Sequence, residues 1–255
     1  MAQTNVIDLA ETVQTSRDQA EIDGFSAQAA SWWDPEGPFA PLHHLNPARM
    51  RILADLLSSH FSRPLNQDIP FNSLSLCDVG CGGGLITEPC ARLGFHVTGL
   101  DASPENIGTA KEHASKSGLT VDYHVGLPED PDVLNGRFDA VLALEVVEHV
   151  RDIPTFISGL TQHVAPNGIL VLSTLNRTLK SLVLAKYAAE YILRWVPAGT
   201  HTWSKFIKPS ELSKHLRAAG FKVTAIRGMD YDLATGEWNA CDDVSVNYIL
   251  AAVRD

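Results

Sequence analysis

The sequence predicts an α/β protein built on an open, mostly parallel sheet of seven strands, with helices on both faces and an antiparallel hairpin at the C-terminus. Two observations carry this prediction. From residue 74 onward, short apolar runs alternate with helix-like stretches, which is typical of βαβ units. The first apolar run leads directly into a glycine cluster at residues 80–84, and open parallel sheets bind ligands at such strand ends.

The elements follow in a regular order along the chain. Residues 1–20 are polar and weakly periodic and predict a flexible terminus, while residues 21–72 predict a helical cap interrupted by a loop rich in proline and aromatic residues. Residues 73–255 predict the α/β domain, including an apolar insert at residues 177–208. The seven strands are predicted at Leu74–Val79, His96–Leu100, Val121–Val125, Phe138–Leu144, Ile169–Ser173, Phe221–Arg227 and Val246–Ala252. Helices are predicted between them, for example at Pro104–Ser117 and Ile153–Val164.

The composition describes one ordinary globular domain and disfavours some partners. The chain has 255 residues, of which 45% are hydrophobic and 20% charged. Its net charge of -10 argues against nucleic acid as a partner and favours a small-molecule substrate. The four cysteines show no CxxC spacing and are interpreted as reduced thiols of a cytoplasmic protein. The acidic first 25 residues resemble neither a signal peptide nor an Arg-rich transit peptide.

The glycine cluster at residues 80–84 predicts a cofactor site, because glycines let a ligand approach the backbone closely. Gly80 and Gly82 begin a dinucleotide fingerprint, but Leu85 stands in place of its last glycine. The cluster instead follows G-x-G-x-G, the form seen in methyltransferases. Asp101 ends the next strand, 21 residues after Gly80, where its carboxylate can accept hydrogen bonds from both ribose hydroxyls. The order of strand, turn and acid favours a nucleoside cofactor over a tight turn followed by a helix cap.

Three side chains with metal-binding and acid–base chemistry follow the fourth predicted strand. Glu145, Glu148 and His149 come directly after Leu144, at the strand end where ligands bind. If this segment is helical, the three stand at i, i+3 and i+4 and share a face. They could then hold Mg²⁺ or another divalent ion, and His149 could also act as a general base. The alternative is that Glu148 and His149 cap the next helix and bind nearby loops.

Further segments match a known family. They are Trp32–Asp34, Pro41–Arg49, Asp78–Gly84, Glu145–His149, Ser173–Arg177, Ala189–Arg194, Lys205–Pro209 and Val246–Tyr248. With these segments the chain resembles the ubiquinone biosynthesis O-methyltransferases of bacteria and mitochondria, which are class I methyltransferases with a Rossmann-like fold. The resemblance covers most of the chain after residue 20. It implies that S-adenosylmethionine is the cofactor.

The resemblance also implies roles for individual residues at the cofactor. It implies that Arg49 reaches the cofactor from the cap and binds its carboxylate. It further implies that Gly80 and Asp101 line the cofactor, and that Leu144 packs near it.

The reaction that the resemblance implies is methylation of ring hydroxyls on polyprenyl phenol and catechol intermediates, namely 2-polyprenyl-6-hydroxyphenol and 3-demethylubiquinol. In the mitochondrial members, the motif matching Glu145, Glu148 and His149 is assigned to a divalent metal. Such a metal on two neighbouring ring oxygens would lower the pKa of the phenol, and His149 is the candidate for accepting its proton. A complex with other proteins of ubiquinone biosynthesis is also expected.

The apolar insert predicts a surface element. Residues 178–196 have the pattern of a helix with a broad apolar face and a narrow polar stripe. The pattern alone favours a buried lid, whereas the polyprenyl tail that the resemblance implies favours a helix lying on a membrane, with Tyr191 and Trp195 at the interface. No stretch reaches the roughly 18 apolar residues of a spanning helix. We therefore expect a cytoplasmic protein held peripherally at the inner face of the cell membrane.

Three alternative functions remain open at this point. A methyltransferase of the same fold could act on another small phenolic or lipid-like acceptor. A regulatory or scaffold protein could have kept the cofactor turn without the chemistry, although Glu145, Glu148 and His149 are all present. A nicotinamide oxidoreductase is the third, and Leu85 in the fingerprint disfavours it.

Overall fold

The computed structural model describes residues 15–183, 203–232 and 234–255, which form one central sheet flanked by helices. The helices are α1 (Gln19–Ser26), α2 (Ala40–Phe61), α3 (Thr87–Arg92), α4 (Pro104–Lys116), α5 (Ile153–Gln162), α6 (Leu179–Ser181) and α7 (Pro209–Ala218). The strands are β1 (Ser75–Val79), β2 (His96–Asp101), β3 (Asp122–Val125), β4 (Phe138–Leu144), β5 (Val164–Leu175), β6 (Phe221–Asp232), β7 (Glu237–Cys241) and β8 (Asn247–Arg254). Both helices predicted by name, α4 and α5, are therefore confirmed.

In the described residues the sheet has eight strands in the order β3-β2-β1-β4-β5-β8-β6-β7. Strands β1 to β5 pair in parallel, and β8 joins β5 and β6 in antiparallel pairs. The predicted mostly parallel sheet with an antiparallel C-terminal part is thus confirmed. The edge strand β7 was not predicted, because Glu237–Cys241 is short and alternates polar and apolar residues without a continuous apolar run. An edge strand does not need the buried faces that make inner strands recognisable.

Both faces of the sheet are buried, which explains why the inner strands read as continuous apolar runs. On β4, Val141 and Ala143 belong to one core cluster and Ala140 and Leu142 to the other, so successive side chains alternate between faces. Helices α5 and α7 contribute to the first cluster, and α2 contributes to the second. Helices on both faces were predicted and are confirmed.

The N-terminal segment crosses the carboxyl ends of the strands. Helix α1 begins after Asp18, whose side chain accepts a hydrogen bond from the backbone N–H of Glu21 at 3.4 Å. None of the residues of α1, all of which the structure describes, is buried. Contacts at its ends hold it: Ser26 Oγ donates to Ser103 Oγ (2.7 Å), and the backbone N–H of Arg151 donates to the carbonyl of Ser16 (2.9 Å).

Two predicted regions fall largely outside the described residues. Residues 1–14 of the expected flexible terminus lie outside them, as do residues 184–202 of the insert. Of the insert helix, the structure describes the start, α6, whose first turn is capped by Thr178. The boundaries proposed after residues 20 and 72 stay predictions. Within the described residues, we find no helix long and apolar enough to cross a membrane.

Candidate active site

A cavity of about 760 Å³ lies at the carboxyl ends of β1, β2 and β4, where open α/β sheets bind ligands. Helix α1 covers it, α2 forms one wall, and the β6–β7 hairpin forms another. The structure brings seven of the predicted site residues to this cavity: Arg49, Gly80, Asp101, Leu144, Glu145, Glu148 and His149. Gly82 does not line it, so a direct contact between Gly82 and a cofactor has no support here.

The glycine turn is fixed by contacts that exclude larger side chains. Gly80 has φ +72°, and its N–H donates to the carbonyl of Leu100 at 2.7 Å. Gly82 has φ +53°, and its N–H donates to Asp101 Oδ2 at 2.9 Å. A Cβ at Gly82 would lie 2.4 Å from the ring of Trp32. Gly82 therefore has a structural reason to be glycine: it orients Asp101 while Trp32 packs against it.

Asp101 is held in place by hydrogen bonds that connect it, through Asn106, to Trp32 of the N-terminal cap. Its Oδ1 accepts hydrogen bonds from the backbone N–H of Ser103 (2.9 Å) and from Asn106 Nδ2 (3.2 Å). Asn106 Oδ1 in turn accepts a hydrogen bond from Trp32 Nε1 at 2.8 Å. Burial raises the pKa of Asp101, and these donors oppose that effect by stabilising the carboxylate. The sequence analysis missed the roles of Trp32 and Asn106, because their pairing links positions 74 residues apart.

Replacing Gly82 by alanine should lower the free energy of unfolding by about 2 kcal/mol or more, because of the left-handed backbone and the contact with Trp32. Chemical denaturation measures the effect. Gly108→Ala is the matched control: Gly108 is exposed within α4 with nothing within 4 Å of a Cβ, and alanine there should add about 0.5–1 kcal/mol. Equal stability of the two variants would contradict this account of the turn.

Arg49 places a buried guanidinium group at the cavity. Its side chain is 3% exposed, its Nη1 donates to Asn46 Oδ1 at 3.1 Å, and its Nη2 lies 3.5 Å from Glu145 Oε1. Among the described residues, neither Nε nor Nη2 has a hydrogen-bond partner. Burial lowers the pKa of Arg49, and the charges of Glu145, Glu148 and Asp78 oppose this. A buried guanidinium with unused donors is suited to bind a carboxylate.

The prediction that Glu145, Glu148 and His149 share one face of an α-helix is wrong. Glu145 has φ +57°, and Val147–His149 is a 3₁₀ turn, so an α-helical i, i+3, i+4 arrangement does not form. Glu145 Oε1 accepts a hydrogen bond from Ser173 Oγ at 2.7 Å and faces Arg49. Each acidic side chain thus has its own partner in the protein.

Glu148 is buried and faces Thr174, whose Oγ1 donates to Glu148 Oε2 at 2.9 Å. Burial, together with the charge of Glu145, raises the pKa of Glu148 to about 7. In the described part of the chain, no group of three or more His, Cys, Asp and Glu side chains is arranged to hold a metal ion. As arranged here, the predicted triad does not fit a divalent ion.

His149 contacts two residues of α1. Its Nδ1 lies 3.0 Å from Glu21 Oε2, and its ring contacts Phe25 edge to face at 5.2 Å between centroids. Lys205 Nζ donates to the other oxygen of Glu21 at 2.5 Å. Burial lowers the pKa of His149. The hydrogen bond with Glu21 and the charges of Glu148, Glu21 and Glu145 raise it by more than burial lowers it, so the net shift of the pKa is upward. The hydrogen bond with His149 lowers the pKa of Glu21 to about 2, against burial and with help from Lys205.

The fold and the cavity define a class, the S-adenosylmethionine-dependent methyltransferases. A family model described as a methyltransferase domain matches residues 42–226. The magnesium protoporphyrin IX methyltransferase of Synechocystis PCC 6803, solved with bound SAH, superposes with a TM-score of 0.63 at 22% identity, covering 91% of this chain and 95% of that one. This likeness supports the Rossmann-like fold.

Curated relatives narrow the class. A ubiquinone biosynthesis O-methyltransferase of Azorhizobium caulinodans is 47% identical over 94% of this chain and 94% of its own length. One of the same name from a strain of Cereibacter sphaeroides is 47% identical over 93% of this chain and 96% of its own length. The chain belongs to the ubiquinone biosynthesis O-methyltransferase family. The predicted resemblance, the enzyme class and S-adenosylmethionine as the cofactor are confirmed.

Proposed function

We propose that this chain transfers the methyl group of S-adenosylmethionine to a ring hydroxyl of polyprenyl phenol and catechol intermediates of ubiquinone biosynthesis. The observation that carries the proposal is a single cavity that joins the glycine turn and Asp101 to His149 and to an apolar wall. The names and near full-length similarity of the curated relatives support the acceptor class.

The cofactor is assigned to the half of the cavity next to the turn. Asp101 would accept hydrogen bonds from the ribose hydroxyls, and Gly80 would allow the cofactor to approach the backbone. The unused donors of Arg49 would bind the carboxylate of the methionine part. Leu144, buried at the end of β4, would pack against the cofactor from the sheet side. Gly82 supports this site through its contact with Asp101.

His149 is assigned as the general base. Glu21 engages Nδ1, so Nε2 is the nitrogen that would accept the phenol proton. As the proton moves to Nε2, the phenol oxygen forms a bond to the methyl carbon and the carbon–sulfur bond breaks. The products are a methyl ether, S-adenosylhomocysteine and an imidazolium. Because the phenolate and the sulfonium neutralise each other, the site mainly aligns the reactants and excludes water, and α1 lies where it covers them.

The proposal assigns no role to the predicted Mg²⁺ or to another divalent ion, and the assay below measures whether one is required. Glu145, Glu148 and His149 each have a protein partner in the structure, so no step of the reaction is assigned to a metal. If a metal is required, these side chains must rearrange to bind it.

The decisive assay is methyl transfer from labelled S-adenosylmethionine to a short-chain demethylubiquinol analogue, with Mg²⁺ and with EDTA. We expect the singly methylated ether as the product. Product only with Mg²⁺ would show that a metal takes part, and equal rates with EDTA would show that the reaction proceeds without one. No product in either condition would overturn the proposed acceptor, and a comparison with soluble simple phenols would then identify the alternative class.

We also propose that the protein acts at the inner face of the cell membrane, where a polyprenyl acceptor resides. Two apolar side chains at the start of the insert, Leu179 (76% exposed) and Val183 (56% exposed), support a surface-seeking element. Liposome flotation should recover the parent protein with vesicles. The triple variant with Leu182, Leu193 and Trp195 changed to serine should lose that binding. Undiminished flotation of the variant would show that the insert is not the anchor.

A further inference from the structure

The β6–β7 hairpin forms a separate wall of the active-site cavity. Strand β6 pairs with β8 as far as Arg227, and from Gly228 onward it pairs with β7. The hairpin also contacts α2, where Arg51 Nη2 donates to the carbonyl of Trp238 at 2.9 Å. This contact ties the position of the hairpin to the helix that carries Arg49.

Three of the four described hairpin residues that line the cavity have large, mostly apolar side chains, and the fourth is the exposed Asp230. Met229 and Tyr231 stand two residues apart on β6 and therefore point to the same face. Trp238 is the cross-strand neighbour of Tyr231, with ring centroids 5.5 Å apart and the planes tilted by 57°. All three line the cavity, and Leu42 and Leu45 of α2 line it as well.

This apolar end lies away from the charged centre of the cavity. Leu45 precedes Arg49 by four residues on α2, roughly 6 Å along the helix, and belongs to the same hydrophobic cluster as Met229 and Trp238. Leu42, about one turn further, packs with Trp32 and Leu85 beside the glycine turn instead. Arg49 itself faces Glu145, next to the cofactor turn. The cavity thus has a nucleoside end at Asp101, a charged middle, and an apolar end at the hairpin.

Three charged residues line the apolar end: Lys180 and Asp243 compensate each other, and Asp230 on β6 is exposed. Lys180 and Asp243 both line this part of the cavity, and they form an ion pair with each other. A ligand with an apolar chain can therefore occupy the space between α2 and the hairpin without burying an uncompensated charge.

We propose that Trp238, Tyr231 and Met229, with Leu45 of α2, form the subsite for the apolar substituent of the acceptor. In this arrangement the isoprene units nearest the ring lie between α2 and the hairpin, and Trp238 determines the preference for acceptors that carry a tail. The inference rests on the proposed methyl transfer to a prenylated ring and adds the residues that select such a ring.

The test compares two acceptors with the same dihydroxylated ring, one without a tail and one with two isoprene units. Steady-state kcat/KM is measured for both at saturating S-adenosylmethionine. The wild type should prefer the tailed acceptor, and Trp238→Ala should lower the ratio of the two kcat/KM values about tenfold. Trp238→Phe should keep most of the ratio, because it preserves an aromatic face.

Leu45→Ala, on α2, is a second variant that should lower the same ratio, in case the tryptophan variant does not fold. Phe61→Ala is the control, since Phe61 at the end of α2 is half-buried and is not part of the cavity lining. Titration with S-adenosylhomocysteine verifies that each variant is folded. Wild-type ratios in both wall variants, or equal kcat/KM for the two acceptors in the wild type, would overturn the subsite. Absence of transfer to either acceptor by the wild type would instead overturn the proposed function.

Discussion

His149→Asn should lower kcat for methyl transfer by about 10²–10⁴-fold, the usual contribution of a positioned general base. The phenol proton would then have no acceptor at Nε2, while Asp101, Gly80 and Arg49 would keep their arrangement. S-adenosylhomocysteine should accordingly bind with nearly wild-type affinity. The measurement combines single-turnover rates with calorimetric titration of S-adenosylhomocysteine.

His44→Asn is the matched control for this experiment, because His44 is exposed on α2 and is not part of the cavity lining. It should leave both kcat and cofactor affinity at wild-type levels. Glu21→Gln should give an intermediate loss, because the imidazole remains but the carboxylate that orients it is gone. A wild-type kcat in His149→Asn would rule out His149 as the proton acceptor.

Arg49→Met should raise the Kd for S-adenosylmethionine by about 100-fold or more, since two charge-assisted hydrogen bonds to its carboxylate would be lost. The variant should also lose about 3–5 kcal/mol of stability, because the buried Glu148 and Asp78 and the partly buried Glu145 would remain without their cation. Calorimetric titration and chemical denaturation measure these two effects separately.

The double variant Arg49→Met with Glu145→Gln distinguishes binding from stability. Removing both charges of the pair should restore much of the free energy of unfolding. Cofactor affinity should stay low, because the guanidinium donors are still absent. If the double variant regained wild-type affinity, Arg49 would act only as a partner of Glu145 and not as a ligand of the cofactor.

The sheet and the cofactor turn could be predicted because their signals are local. Apolar runs mark the inner strands, and the spacing of Gly80 and Gly82 with Asp101 at the next strand end is visible in the sequence itself. The glycine spacing reflects the backbone conformation of the turn, and the apolar runs reflect strands that are buried on both faces. The short edge strand β7 carries neither signal, so Trp238 could not be assigned to the cavity.

The contacts around the predicted triad could not be predicted, because they join distant parts of the chain. The spacing of Glu145, Glu148 and His149 suggested one helical face, but a left-handed residue at Glu145 breaks the helix. The partners Glu21 and Arg49 come from the N-terminal segment, and no local pattern relates them to residues that follow about a hundred positions later.

The dependence of the cavity on its N-terminal cap also orders events during synthesis of the protein. Trp32 cannot form its hydrogen bond with Asn106 until 74 further residues have been made, and Glu21 cannot contact His149 until 128 further residues have been made. A nascent chain that ends before residue 149 therefore has the glycine turn and strands β1 to β4, but lacks the contact between Glu21 and His149 over the cavity. Because contacts between distant residues form slowly, the N-terminal segment can complete its contacts with the cavity only after residue 149 has been made.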